Sequence, residues 1–215
     1  MILAFTRKIK DFVIRQQEHA WSNREFRPTM VELTGSTIGI IGFGAVGRAI
    51  AKRAVGFDLN IIAVDMFPKN KPDDVQALWG LDKLPDMLAA ADYVVVTVPY
   101  TPETDGMIGA EQIAQMKPGA LLVGISRGHI INEEALIAAL NSGHLSAAAL
   151  DVFDKEPLPA DSVLWDMDNV LVTPHAAGGT QLERKYLLDI FYENLERFFS
   201  GDLPLRNQID KKQGF

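Results

Sequence analysis

The sequence predicts an α/β protein, a doubly wound parallel sheet with helices on both faces. Three observations carry that prediction. Apolar runs at residues 37–41, 60–65, 93–97, 120–125, 145–150 and 170–172 alternate with stretches patterned as helices. The run Tyr93–Thr97 is continuous and β-branched, as in a strand buried on both faces. The first run opens onto Gly42-Phe43-Gly44-Ala45-Val46-Gly47, a glycine turn set between a strand and a helix.

Length and composition fit this class. The chain has 215 residues, 47% of them hydrophobic, enough to bury a substantial core. A net charge of −7 argues against a nucleic-acid footprint, which wants a basic face. Cysteine is absent, which excludes disulfides, thiolate metal ligands and a cysteine nucleophile, and no metal site is expected. No apolar run approaches the roughly 20 residues of a membrane span. The opening Met1-Ile-Leu-Ala-Phe-Thr-Arg-Lys is not expected to act as an export signal, because its apolar part is shorter than roughly 7–15 residues and its charges follow that part. A cytoplasmic protein with no membrane or nucleic-acid partner is the expectation.

In chain order, Ile2, Phe5, Ile9, Phe12 and Val13 fall at helical spacing and predict one amphipathic helix at the start. Residues 16–34 turn polar and irregular. Thr37–Ile41 is the first strand, Ala45 to about Val55 a helix, and Asn60–Asp65 a second strand ending on an acid. Residues 84–91 predict a short helix, 93–97 a strand, 111–116 a helix stopped by Lys117-Pro118-Gly119, and 120–125 a strand. Asn132 caps a helix whose first turn carries Glu133 and Glu134, the favourable charge at that end. Strands at 145–150 and 170–172 follow, then a long amphipathic helix from about Thr180 to Phe199, closed by Gly201.

The glycine turn gives a chemical reading. Gly42 permits the tight turn, Gly44 lets backbone approach a pyrophosphate, and Gly47 lets the helix lie close on the strand. The helix amino end beginning at Ala45 and Val46 faces the phosphates with free N–H groups and positive dipole. Asp65, eighteen positions past Gly47, would accept from the adenosine ribose hydroxyls and repel a 2′-phosphate, so NAD is expected over NADP. The competing explanation is a glycine-rich turn with no ligand. The strand before, the helix after and the acid at that distance weigh against it.

Ligands of such a sheet bind outside the carboxyl ends of its strands. Three strand ends carry chemistry: Ile125-Ser126-Arg127-Gly128, Asp151-Val-Phe-Asp-Lys-Glu156-Pro157 and Thr173-Pro174-His175-Ala176-Ala177-Gly178. An arginine holds a carboxylate bidentately and polarises the neighbouring carbonyl. A histidine gives or takes the proton of a hydroxyl, and a carboxylate beside it fixes its ring. Arg127 also suits a surface ion pair, and Glu156 an ordinary loop acid. His19, His129 and His144 sit in polar or loop surroundings and read as surface residues. Asp154 lies two residues before Glu156, but only Glu156 precedes the proline.

Taken together, these motifs resemble the D-isomer-specific 2-hydroxyacid dehydrogenases over nearly the whole chain, from the first helix to Phe215. The resemblance implies a Rossmann-type NAD-binding fold with interdomain-type helices at both ends. It implies that Arg127 binds the substrate carboxylate and carbonyl, that His175 is the general acid/base and that Glu156 orients it. It places NAD against Gly42, Gly44, Ala45, Val46, Gly47, Asp65, Val98, Pro99, Thr104, Ile125, Ser126, Arg127, Asp151 and His175. Val98, Thr104 and Asp151 rest on the resemblance alone. It implies the organisation 1–18 interdomain-type helix, 19–178 NAD-binding domain and 179–215 C-terminal helix and tail, with most of an N-terminal substrate domain absent. The expected reaction is reversible hydride transfer between NADH and a 2-keto acid. Uncovered stripes at Ile2, Phe5, Ile9, Phe12 and at Phe191, Leu195, Phe198 predict self-association, with a homodimer implied by the family. A catalytically disabled NAD-binding module, or a dinucleotide-sensing interaction protein, shares the fold, although a pure sensor has no need of a proton donor. A short-chain reductase would need a Tyr-x-x-x-Lys pair, which the chain lacks.

Overall fold

The structure, a computed structural model, describes residues 1–211 and falls into two compact units, Met1–Pro174 and His175–Phe215. The last residues of the expected tail, 212–215, lie outside the described residues. The first unit holds, in order, α1 (Ile2–Thr6), α2 (Ile9–Gln17), α3 (Asn23–Phe26), β1 (Thr37–Ile41), α4 (Ala45–Ala54), β2 (Asn60–Val64), β3 (Ala77–Trp79), α5 (Leu84–Ala90), β4 (Tyr93–Val96), α6 (Ala110–Gln115), β5 (Ala120–Gly124), α7 (Glu133–Asn141), β6 (Leu145–Leu150) and β7 (Val170–Val172). The second unit is built on α8 (Glu183–Ser200).

The strands form one sheet in the order β3-β2-β1-β4-β5-β6-β7, and every neighbouring pair is parallel. All carboxyl ends therefore share one edge. The chain winds outward from β1 to β3, then returns to β4 on the other side, which leaves a crevice mouth between β1 and β4.

Alternation along each strand divides the core into two layers. Val94 and Val96 of β4 join Ile41, Val64, Leu122 and Leu150 beneath α5, α6 and α7. Tyr93 and Val95 join Ile38, Ile40, Ile61 and Val123 on the other face, under Ala51 and Ala54 of α4. Both faces are covered, as apolar parallel strands require. Asn132 caps α7 by accepting from the Ala135 N–H at 2.8 Å.

Four local expectations are corrected. The single opening helix is broken at Lys8, whose φ of 55° turns the chain between α1 and α2. The break lets Ile2 and Phe5 pack on the second core layer, so that part of the stripe is covered. Ile9 and Val13 stay exposed, while Phe12 meets Phe26 edge to face at 5.4 Å. The edge strand β3 was not foreseen, because three residues are too few to show a period. The last helix begins at Glu183, since residues 180–183 are tied in a turn, the Glu183 N–H donating to the Thr180 carbonyl at 3.1 Å. His144 is half-buried, with Nε2 at 2.9 Å from the Ile113 carbonyl oxygen. Among the described residues, no helix is long and apolar enough to cross a membrane.

Candidate active site

The glycine turn leaves β1 at Gly42, whose φ is 90° and whose N–H donates to the Val64 carbonyl at 2.9 Å. A Cβ at Gly42 would stand 2.8 Å from the Val98 nitrogen, and one at Gly47 2.2 Å from the Gly42 carbonyl oxygen. Both positions are closed to side chains by backbone. Gly44 differs: a Cβ there meets nothing within 4 Å. It is also the N-cap of α4 and provides no side chain to cap it. The first amides of the helix, at Ala45 and Val46, thus lack intrahelical acceptors, and the residue ahead of them borders open space, a cradle suited to a phosphate.

Asp65 stands just past β2, half-buried. Its Oδ2 accepts from the Phe43 N–H at 2.6 Å and its Oδ1 from the Phe67 N–H at 2.7 Å. Each carboxylate oxygen keeps capacity for a further donor, so a ribose hydroxyl can still be accepted. The same carboxylate also holds the glycine turn, a role the sequence did not disclose. Arg48 adds to this end. Its guanidinium lies 4.7 Å from the Phe43 ring centroid and donates to the carbonyls of Lys69 (2.7 Å) and Asn70 (2.8 Å), pinning the segment after β2.

Across the mouth, the Thr97 hydroxyl donates to the Gly42 carbonyl at 2.6 Å. Val98 is buried and Pro99 exposed. Thr104 is buried, and its hydroxyl donates to the Pro99 carbonyl at 2.7 Å and accepts from the Thr101 N–H at 2.8 Å. Its side chain is committed to closing the 98–104 turn and so shapes this wall.

Beyond β5, Ile125 is half-buried and the Ser126 hydroxyl oxygen is buried with no hydrogen-bond partner among the described residues. A buried hydroxyl without a partner at the mouth fits a site that receives a polar ligand. Arg127 is exposed, with Nη1 donating to the Ser126 carbonyl at 2.6 Å. Beyond β6, Asp151 is buried and its Oδ1 accepts from the Thr173 hydroxyl at 2.5 Å, which links the ends of β6 and β7. Glu156 Oε1 accepts from the Phe153 N–H at 3.0 Å. The Arg127 and Glu156 turns are packed together: Gly128 lies so near Phe153 that a Cβ would stand 2.0 Å from its carbonyl oxygen.

His175 opens the second unit. It is exposed and takes φ 50°, left-handed for a residue that carries a Cβ. The next turn is closed by the Gly179 N–H donating to the Ala176 carbonyl at 3.0 Å. Within the first unit, partial burial raises the Glu133 carboxyl above its ordinary value, against a backbone hydrogen bond from Asp154 that lowers it. Sequence reasoning missed Arg48, Thr97 and Thr173 as supports. Only Thr173 carried a signal, being part of the Thr-Pro-His motif.

Residues 1–177 match the family described as D-isomer specific 2-hydroxyacid dehydrogenase, NAD binding domain. The chain is 36% identical over 203 residues to a D-3-phosphoglycerate dehydrogenase of Methanocaldococcus jannaschii, covering 94% of this chain and 38% of that protein. It is 35% identical over 209 residues to a glyoxylate reductase of Korarchaeum cryptofilum, covering 95% of this chain and 62% of that one. The chain thus spans less than two thirds of either relative. Among solved structures, it resembles a D-isomer specific 2-hydroxyacid dehydrogenase from Xanthobacter autotrophicus, crystallised with NADPH and MES, at a TM-score of 0.86 and 36% identity over 100% of this chain and 85% of that one. A glyoxylate/hydroxypyruvate reductase from Sinorhizobium meliloti in complex with NADP and sulfate gives 0.87 and 29%, covering 100% of this chain and 66% of the other. With the sheet order, the glycine cradle and the strand-end motifs, these matches show a nicotinamide-dinucleotide fold, and the chain belongs to the D-isomer specific 2-hydroxyacid dehydrogenase family.

Proposed function

We propose that this chain carries the cofactor and proton-transfer residues of a dehydrogenase that interconverts a D-2-hydroxy acid and its 2-keto acid with NAD(H). The observation that carries the reading is the packing of the Arg127 and Glu156 turns on the same sheet edge as the open glycine cradle. Gly42, Gly44 and Gly47, with the amides of Ala45 and Val46, hold the pyrophosphate. Asp65 accepts from the adenosine ribose and disfavours a 2′-phosphate by like charge, so NAD is preferred to NADP. Val98, Pro99, Thr104, Ile125, Ser126 and Asp151 line the remainder. When bound, the nicotinamide supplies the hydride.

Arg127 grips the substrate carboxylate with its planar fork and draws electron density from the adjacent carbonyl. His175 gives its proton to the carbonyl oxygen during reduction and recovers it during oxidation. Glu156 orients that ring, a role supported by its place before Pro157 in the Asp151–Pro157 segment past β6. Support for His175 comes from its position in the Thr173-Pro174-His175 segment, just past the end of β7. On the same reading, residues 19–178 hold the cofactor, while the exposed faces of α2 and α8 are turned to a substrate domain. Exposed Phe191, Leu195 and Phe198 favour self-association as a homodimer, which sedimentation would detect.

The test is NADH oxidation by the purified chain with glyoxylate, pyruvate and hydroxypyruvate, beside His175→Ala. Turnover that disappears in the variant supports the enzyme. NADH binding with no turnover in either protein favours the alternative, a binding module or a catalytically disabled fragment, and absence of NADH binding contradicts both.

A further inference from the structure

Between the two turns that bear Arg127 and Glu156 stands an acid with no assigned role. Asp154 Oδ1 accepts from the His129 N–H at 2.6 Å, a short bond of the charge-assisted kind. The same oxygen lies 3.5 Å from Nδ1 of the His129 ring. Asp154 is itself anchored, its N–H donating to Oε1 of Glu133 on α7 at 2.8 Å. One residue earlier, the Phe153 N–H donates to Glu156 Oε1 at 3.0 Å. From His129 the connection runs onward, its carbonyl accepting from the Gly106 N–H at 2.7 Å.

We propose that Asp154 is a positioning residue, whose carboxylate bolts the Arg127 turn to the Glu156 turn and so fixes where the guanidinium stands before substrate arrives. This rests on the 2-keto acid reading above. Three features support it. His129 has φ 64°, a region that residues with a Cβ seldom adopt, and the Asp154 bond is made by the amide of that residue. Gly128 brings backbone against backbone at Phe153, with room for no side chain, so the two turns have one spacing. Asp154 also sits where three segments meet: the Arg127 turn through its side chain, α7 through its N–H, and the Glu156 turn through its own chain. Without the carboxylate, the His129 turn is free to relax toward negative φ, and Arg127, two residues back, moves with it.

The test compares wild type, Asp154→Asn and Asp154→Ala in the complete chain. Asparagine keeps an oxygen that accepts from the His129 amide, whereas alanine removes it. Kinetics with glyoxylate are expected to show kcat/KM for the keto acid falling about tenfold in the alanine variant, with KM for NADH unchanged. The asparagine variant should recover most of that loss. Amide hydrogen exchange at His129 is measured in the same proteins and should accelerate about tenfold in the alanine variant only. Equal glyoxylate kinetics in the alanine variant and wild type would overturn the proposal, as would a matching loss of NADH affinity. If wild type binds NADH but reduces no keto acid, the proposed reaction fails on its own. The exchange comparison then decides the bolt, for which unchanged protection in the alanine variant is the contrary result.

Discussion

On the β1–β2 side of the carboxyl edge, the site is made of backbone: a glycine turn, an uncapped helix end and one carboxylate holding the turn closed. On the β5–β6 side, it is made of side chains on turns fastened to one another through Glu133, Asp154 and Gly128. The first arrangement suits a ligand bound the same way in every turnover, since its donors are fixed by the fold. The second suits chemistry in which a guanidinium and a carboxylate must keep one spacing. The difference teaches that binding and turnover should be separable by substitution.

The largest effect should come from the chemical side. His175→Ala should lower kcat/KM for the keto acid by about 100- to 10,000-fold, the usual contribution of a general acid/base, with NADH affinity kept. Steady-state kinetics and calorimetry on one preparation check both parts.

Next in size is Gly47→Ala on the cofactor side. Its Cβ would stand 2.2 Å from the Gly42 carbonyl oxygen, so α4 must shift away from β1. Overpacking of this kind costs about 1–3 kcal/mol, read in a urea melt, and NADH affinity should fall with it. Asp65→Ala is smaller. It removes the acceptor for the Phe43 amide as well as for the ribose, so NADH binding should weaken about tenfold and discrimination against NADPH should shrink, both measured by titration.

These contrasts also explain what the sequence made legible. The glycine spacing, Asp65 and every strand but β3 were readable because each follows from a local rule of turn or period. The glycine turn and the acid after β2 could thus be located from the sequence, and the structure brings them together through the Phe43 amide. Arg127, Glu156 and His175 were found as motifs at strand ends, but their supports were not. Asp154 carries no local pattern, since its partner His129 is twenty-five residues away and is engaged through an amide every residue possesses. The same holds for Arg48, which acts on the carbonyls of Lys69 and Asn70. The break at Lys8 was invisible because the apolar spacing runs through it undisturbed.

The smallest expected effect concerns Glu133. Burial raises its carboxyl above the ordinary 4.5, so the folded state holds this proton more tightly than the unfolded chain. Stability should therefore decline as pH rises from the unfolded value through the folded one. Glu133→Gln keeps an acceptor for the Asp154 amide without the charge and should abolish that decline. Denaturant melts on either side of the titration, compared between the two proteins, measure the difference.

The central claim is that the open end of α4 beside Asp65 receives a dinucleotide. Titration calorimetry with NADH on wild type and Gly47→Ala tests it most directly. The account predicts saturable binding to wild type and clearly weaker binding to a folded variant. Absence of heat with folded wild type at millimolar NADH, or equal affinity in the two proteins, would contradict it.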